Sequence, residues 1–417
     1  MSVFKMNLRE TIYYLSDSLN LVGNNQIDHS KRVAYIASEL AKALQWEPQH
    51  IDELFMVAIL HDCGISKTSV YERLATLEAK NAGDHCAKGA DMVKASPTLR
   101  KLSDFILHHH VDWDELKGID LSDQTKLSAN CIFLSDTIDF LVMNAQRSEP
   151  NILACKSRIQ KKIRQSKESV FYPPLVEVFL KISEPEVFWF DLDKGGDFNF
   201  AQDWMARKPE VELEFDDLKQ IIRIYSLMVD AKSFYTQNHS EGVAALSRYL
   251  GENLGLSESV CDRLEIAGLL HDLGKLRVAD DILDKPNELT YEEKLVMQRH
   301  SYDTYEILKK INGFDDIARW AALHHERLDG SGYPFRLTAD QIPIEARIIA
   351  AADVFQGLAQ NRPYRERLCP DSILSLMKEQ VLQSLLDGDI VKKIADNVLH
   401  CWHLANPGER WQSVNNT

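Results

Sequence analysis

No apolar run in this sequence approaches the roughly 18–20 residues that a bilayer-spanning helix requires. The stretch Leu54 to Leu60 has the length of a buried core segment, not of a span. The start, Met1-Ser2-Val3-Phe4-Lys5, lacks the apolar block of a secretory signal. The seven cysteines are odd in number, scattered, and include no C-x-x-C pair, which excludes a disulfide framework and points to reduced thiols in the cytoplasm. Positive charge is also short. A net charge of −15 argues against a broad surface for DNA or RNA. An anionic substrate would then need locally concentrated positive charge, and bound metal is one source of it. Alternating strand patterns are scarce.

What is present is an ordinary apolar fraction, 45% over 417 residues, enough for two or three domains with cores of their own. An internal repeat organises them. His29-Ser30 precedes His61-Asp62 by 32 residues, and His239-Ser240 precedes His271-Asp272 by the same 32. The match continues through His85 with His300, His109-His110 with His324-His325, and Asp136 with Asp353, at offsets drifting from 210 to 217. Apolar runs before each His-Asp pair repeat as well. One such spacing would mean little; the ordered series indicates two copies of one module.

The division is expected at about 206–216, where Arg207-Lys208-Pro209 leads into the acidic run Glu210 to Asp217. That gives modules at 1–206 and 217–417. The basic stretch Lys156 to Lys167 carries Ile159 and Ile163 at i, i+4 and reads as a solvated helix face. Apolar spacing in Val243 to Leu254 and Val260 to Leu270 is helical. The predicted fold is all-α, twice.

Imidazole and carboxylate donors suit iron, manganese, zinc or nickel. The pair His271-Asp272 ends an apolar helix that Gly274 breaks, and neighbouring helical residues diverge by about 100°, so both can meet one site only near a helix end. An aspartate there can bridge two ions through its two oxygens. The segment Asp329-Gly330-Ser331-Gly332-Tyr333-Pro334 follows His324-His325 directly, and its glycines permit a close-approach loop that Pro334 stiffens. His239, His271, Asp272, His300, His324, His325 and Asp353 are therefore the candidate metal ligands.

Residues 223–417 resemble the HD-GYP branch of the HD-domain phosphohydrolases. His324 to Pro334 matches the family's H-H-E-x-x-D-G-x-G-Y-P, and His271-Asp272-x-Gly274-Lys275, Asp281 to Pro286 and Arg362-Pro363-Tyr364 match further signatures in order. The resemblance implies hydrolysis of a 3′,3′-cyclic dinucleotide, cyclic GMP-AMP or cyclic di-GMP, to a linear 5′-phosphorylated dinucleotide. It implies two divalent transition metals, iron or manganese. One would be held by His239, His271, Asp272 and Asp353. Asp272 would bridge to the other, on His300, His324 and His325. Two ions about 3.5–4 Å apart can lower the pKa of a water and clamp a phosphate. Asp272 and Lys275 are the candidate catalytic residues. Lys275 would neutralise a phosphate oxygen or else remain solvated. Arg347 would contact phosphate or base, or form a salt bridge on a helix surface. Tyr333 is a third candidate substrate contact, or a residue that positions the loop. Tyr235 stands where some members carry a glutamate for a third metal, so two are expected.

The first module keeps His29, His61, Asp62, His85, His109, His110 and Asp136. Ile65 replaces the lysine, and Val111 to Lys117 holds no Gly-x-Gly-Tyr-Pro. It resembles a plain HD module: catalytic, regulatory or a scaffold, with the regulatory reading preferred because loss of the lysine weakens catalysis more than folding. A plain HD module before an HD-GYP module, without a receiver domain, resembles the subset cleaving cyclic GMP-AMP. The alternatives are an HD phosphohydrolase of mononucleotides and a non-catalytic signalling protein that binds a cyclic dinucleotide. A homodimer is compatible with any of these.

Overall fold

The computed structural model describes residues 3–22, 28–68, 83–166, 169–193, 199–206, 211–233, 238–362 and 365–407. Lys167, the segment Arg207 to Glu210, Tyr235, Pro363 and Tyr364 lie outside the described residues. The described residues are mostly helical. The sheet formed among the described residues is a two-stranded one, β1 (Val3–Met6) with β2 (Val211–Glu214). Two compact units separate: residues 7–211, and residues 212–417 together with 1–6. The opening strand thus sits with the second unit, because its backbone finds its ladder partner in β2. No helix among the described residues is long and apolar enough to cross a membrane.

In the first unit the ligand-bearing helices are α1 (His29–Ala43), α2 (Pro48–Leu60), α3 (Gly83–Lys94), α4 (Ser103–Leu107) and α5 (Asp123–Gln146). α1 packs on α2 and α5, and α3 on α4. In the second unit they are α6 (His239–Asn253), α7 (Glu258–Leu270), α8 (Tyr291–Leu308), α9 (Asp315–Ala322) and α10 (Ile344–Ala359). α6 packs on α7 and α10, and α8 on α9 and the turn Leu273–Arg277.

Local signals set the ends of these helices. The Ser257 side chain accepts from Val260 N at the start of α7, and Thr290 with Glu293 forms a reciprocal capping box at the start of α8. Asp28 and Asn238, at φ 63° and 62°, turn the chain into α1 and α6. Both are residue types that tolerate the left-handed region. Leu264, Ile266, Ala267, Leu269 and Leu270 of α7 are all buried, so the helix that delivers the His-Asp pair is fixed on several sides. The helix Ile152–Gln165 buries Ile159 and Ile163.

Candidate metal centre

Each histidine of the series sits at the same place in its unit. His29 and His239 open α1 and α6; His61 and His271 directly follow α2 and α7. His85 and His300 lie within α3 and α8, while His109 and His324 come two residues after α4 and α9. Asp136 and Asp353 lie within α5 and α10. The ten helices converge as two clusters of buried donors.

In the second unit the Asp272 carboxylate divides its cluster in two. Its Oδ2 lies 3.3 Å from His239 Nε2 and 3.4 Å from His271 Nε2, and Asp353 Oδ1 is 3.3 Å from that same His239 nitrogen. Its Oδ1 faces the other way, 3.5 Å from His300 Nε2 and 3.7 Å from His324 Nε2. The donors of His239, His271 and Asp353 form one group that could hold an ion, and those of His300, His324 and His325 another.

The donor set fits metal on three observations. The His271, His300 and His324 rings each place Nδ1 against a backbone carbonyl, of Gly268, Met297 and Ala321, at 2.6–2.7 Å. A carbonyl only accepts, so Nδ1 carries the proton and the Nε2 lone pair points inward. Asp272 Oδ1 is buried and makes no hydrogen bond, an orphaned anionic oxygen of the kind a cation satisfies. Burial pushes His300 down to about 3 and His325 to about 4, and holds His324 well below the ordinary imidazole range, so these rings are neutral donors at neutral pH. Burial opposes charge on Asp272 and Asp353 too, yet His271 and Lys275 for the first, and His239 for the second, keep both well below the usual carboxylate range. Burial would likewise lower His239, but the two carboxylates outweigh it and raise the ring to about 9.

Lys275 Nζ meets Asp272 Oδ2 at 2.5 Å, so the lysine belongs to the cluster. Tyr333 packs against His325 with ring centroids 4.8 Å apart and tilted by 40°, and its N–H donates to His325 O at 3.3 Å. Gly332 is required by close approach: a Cβ there would lie 2.5 Å from Arg327 N and from Glu326 Cα. Arg347 does not join the donors. Its Nε donates to Ile342 O at 2.9 Å, one terminal nitrogen pairs with Asp387 at 2.9 Å, and the other meets Ala339 O. Two nitrogens are spent on the stretch between the loop and α10, and the third on Asp387.

Three residues assigned no role from the sequence contribute. Glu326 turns its buried carboxylate from the cluster and accepts the N–H groups of Phe335, Arg336 and Leu337 at 2.7–3.1 Å. Gln356, one turn beyond Asp353, accepts from His239 Nδ1. The Arg362 guanidinium is close enough to bear on the charge of His239. The motif glutamate and the i+3 spacing were the available signals.

The first unit repeats the division. Asp62 Oδ2 lies 3.6 Å from His29 Nε2 and 3.4 Å from His61 Nε2, and Oδ1 is 3.5 Å from His85 Nε2 and 3.9 Å from His109 Nε2. Asp136 Oδ1 is 3.3 Å from His29 Nε2. Ile65, at the lysine position, is buried, and with Leu19 and Val22 it lines a narrow cleft that ends on His29 and Asp62.

HD domain families match at residues 27–141 and 223–390. The 3′3′-cGAMP-specific phosphodiesterase 1 of Vibrio cholerae is 34% identical over 407 residues, 96% of this chain and 94% of that protein. This chain belongs to the HD-GYP family. Among other HD-GYP relatives, the 3′3′-cGAMP-specific phosphodiesterase 3 of Vibrio cholerae is 28% identical, covering 90% of this chain and 91% of its own length. The cyclic di-GMP phosphodiesterase response regulator RpfG of Xanthomonas campestris pv. campestris is 41% identical over 44% of this chain and 48% of its own. The HD-GYP fold is shared with the crystal structure of a cyclic GMP-AMP-specific phosphodiesterase of V. cholerae, at a TM-score of 0.63 and 24% identity over 95% of this chain and 98% of that one.

Proposed function

We propose that the second unit hydrolyses a 3′,3′-cyclic dinucleotide to a linear 5′-phosphorylated dinucleotide, with 3′,3′-cyclic GMP-AMP as the preferred substrate. The carrying observation is the Asp272 carboxylate, whose two oxygens face two separate donor groups. That arrangement supports a pair of divalent transition ions, iron or manganese, with Asp272 between them. His239, His271 and Asp353 would hold one ion, and His300, His324 and His325 the other. When bound, such a pair lowers the pKa of water and neutralises the developing charge on the phosphate.

The chain's own residues supply the rest. Lys275 brings a positive charge beside Asp272, where it would meet a phosphate oxygen in an otherwise acidic protein. Tyr333 packs against the His325 ring, which makes it a positioning residue as well as a candidate substrate contact. Arg347 is held by Ala339, Ile342 and Asp387 and is assigned no substrate contact. The substrate preference follows from coverage. The two relatives matched along nine-tenths or more of both chains are cyclic GMP-AMP-specific, whereas RpfG, named for cyclic di-GMP, matches less than half of either. The first unit, with Ile65 in place of the lysine, is assigned a regulatory part.

The test is product analysis of the purified chain with cyclic GMP-AMP, cyclic di-GMP and cyclic di-AMP, under iron and under manganese. Linear dinucleotide from cyclic GMP-AMP, lost in Asp272→Ala, is expected. Cleavage of a mononucleotide and of none of the three overturns the proposal; faster cleavage of cyclic di-GMP overturns the preference.

A further inference from the structure

Position 86 is where the two clusters differ in donor chemistry. Ser301 follows His300 and places its Oγ 3.2 Å from His300 Nε2. The corresponding residue after His85 is Cys86, whose buried sulfur lies 3.6 Å from His85 Nε2 and 3.9 Å from His109 Nε2. Those two nitrogens are 3.4 Å apart. A tetrahedral ion with Zn–N of about 2.0–2.1 Å and Zn–S of about 2.3 Å has N···N edges of about 3.3–3.4 Å and S···N edges of about 3.6 Å. The triangle of His85, His109 and Cys86 is close to one face of that tetrahedron. Asp62 Oδ1, 3.5 and 3.9 Å from the same two nitrogens, gathers with them and His110 as one group of donors. The thiol lies within 4 Å of two members of that donor group, His85 and His109, and is not an isolated cysteine.

We propose that Cys86 is a metal ligand, making the first unit a thiolate-containing centre selective for a soft ion such as zinc, in contrast to the nitrogen and oxygen donors of the second unit. Thiolate ligation favours zinc over manganese, and a serine hydroxyl offers no such preference. Binding breaks the S–H bond, the proton leaves to buffer, and the sulfur lone pair goes to the ion. The inference does not depend on what the second unit hydrolyses.

The experiment loads the full chain with Co(II) and records the near-ultraviolet sulfur-to-cobalt charge-transfer band. The band should be present in the wild type and in Cys63→Ser, and absent in Cys86→Ser. Serine occupies the same place beside His300, so that variant is expected to fold, and a circular dichroism spectrum checks it. Zinc affinity of the first unit, read by competition with a chelating dye in a His271→Ala background, should fall at least about 10-fold in Cys86→Ser, with manganese binding unchanged. The reciprocal change, Ser301→Cys, should create a second band. A wild type with no band, whether or not cobalt binds, or a band that persists in Cys86→Ser, overturns the assignment.

Discussion

Substituting Gly274 by alanine removes no ligand, yet it should cost the second unit an ion. A Cβ at this position would lie 2.0 Å from His300 O and 2.9 Å from His300 Cα. Ordinary contact begins near 3.4 Å, so α8 must retreat by about 1.4 Å (3.4 − 2.0) at the ligand itself. Nothing flexible can absorb this, since both the turn and α8 are tied through Thr304. Gly274 N donates to Thr304 Oγ1 at 2.9 Å, and that hydroxyl donates to His271 O at 3.2 Å. Ligand distances tolerate about 0.2 Å, so a shift of this size takes His300 out of coordination. Overpacking should cost about 1–3 kcal/mol of stability. The misplaced centre should lose about 100-fold in kcat. Metal equivalents by elemental analysis, steady-state turnover and thermal unfolding read the three effects. Gly64→Ala is the internal control, because its Cβ would lie 2.0 Å from His85 O in the first unit. It should lower stability comparably and leave most of the turnover. Gly274→Ala with a full complement of metal and undiminished kcat would refute the reasoning.

Three further outcomes follow from the same geometry. Lys275→Met keeps the aliphatic stem but removes the charge at Asp272, so kcat should drop about 100-fold with metal content retained, and unchanged kcat in a steady-state assay would exclude a role on phosphate. Glu326→Gln gives up a charged acceptor of three backbone N–H groups; a loss of about 1–3 kcal/mol in thermal unfolding and a raised KM are expected, and an unshifted melting curve would show that the loop is held otherwise. Asp139→Ala strands buried Arg32 and should cost about 3–5 kcal/mol in chemical unfolding. Burial alone would raise the Asp139 carboxyl, but Arg32 and His29 bring it down to about 2. A folded value below the unfolded 3.8 means that its stabilisation is complete above pH 3.8 and lost as pH falls towards 2; wild type and variant should therefore converge in stability over that window, and parallel curves would refute the assignment.

The ligand series was legible because metal chemistry demands particular side chains at helix ends and because the chain states the pattern twice. His271 and Asp272 sit where the break at Gly274 placed them, just past α7. The partners that orient these ligands were not legible. Gln356 meets His239 across 117 positions, and Asp139 meets His29 across 110, so only the i+3 spacing from Asp353 and Asp136 pointed to either. Arg347 left two readings open for a related reason, and the structure shows the salt bridge with Asp387. An arginine near a glycine-rich loop suits phosphate and backbone carbonyls equally, and only the positions of Ile342, Ala339 and Asp387 decide between them. The opening strand escaped notice because its ladder partner lies some two hundred residues away.

Gln356 and Asp139 occupy the same place in the two modules, each accepting from the histidine that opens its unit, and the difference between them bears on what each centre does. A carboxylate behind His29 makes that imidazole a stronger donor than the neutral amide behind His239 does. Together with Cys86 beside His85, such surroundings would strengthen the hold of the first unit on the cation proposed for it. The second unit departs in the opposite direction. It places Lys275 on the shared aspartate and Arg362 near His239, which weakens the field available to a metal and strengthens the field available to an anion. A centre that must bind, cleave and release a phosphate diester needs the second balance. A centre that only holds its ion, and reports that it is held, needs the first. The two copies share their histidine and aspartate donors and differ in what surrounds them, which supports the proposal of hydrolysis for one and regulation for the other.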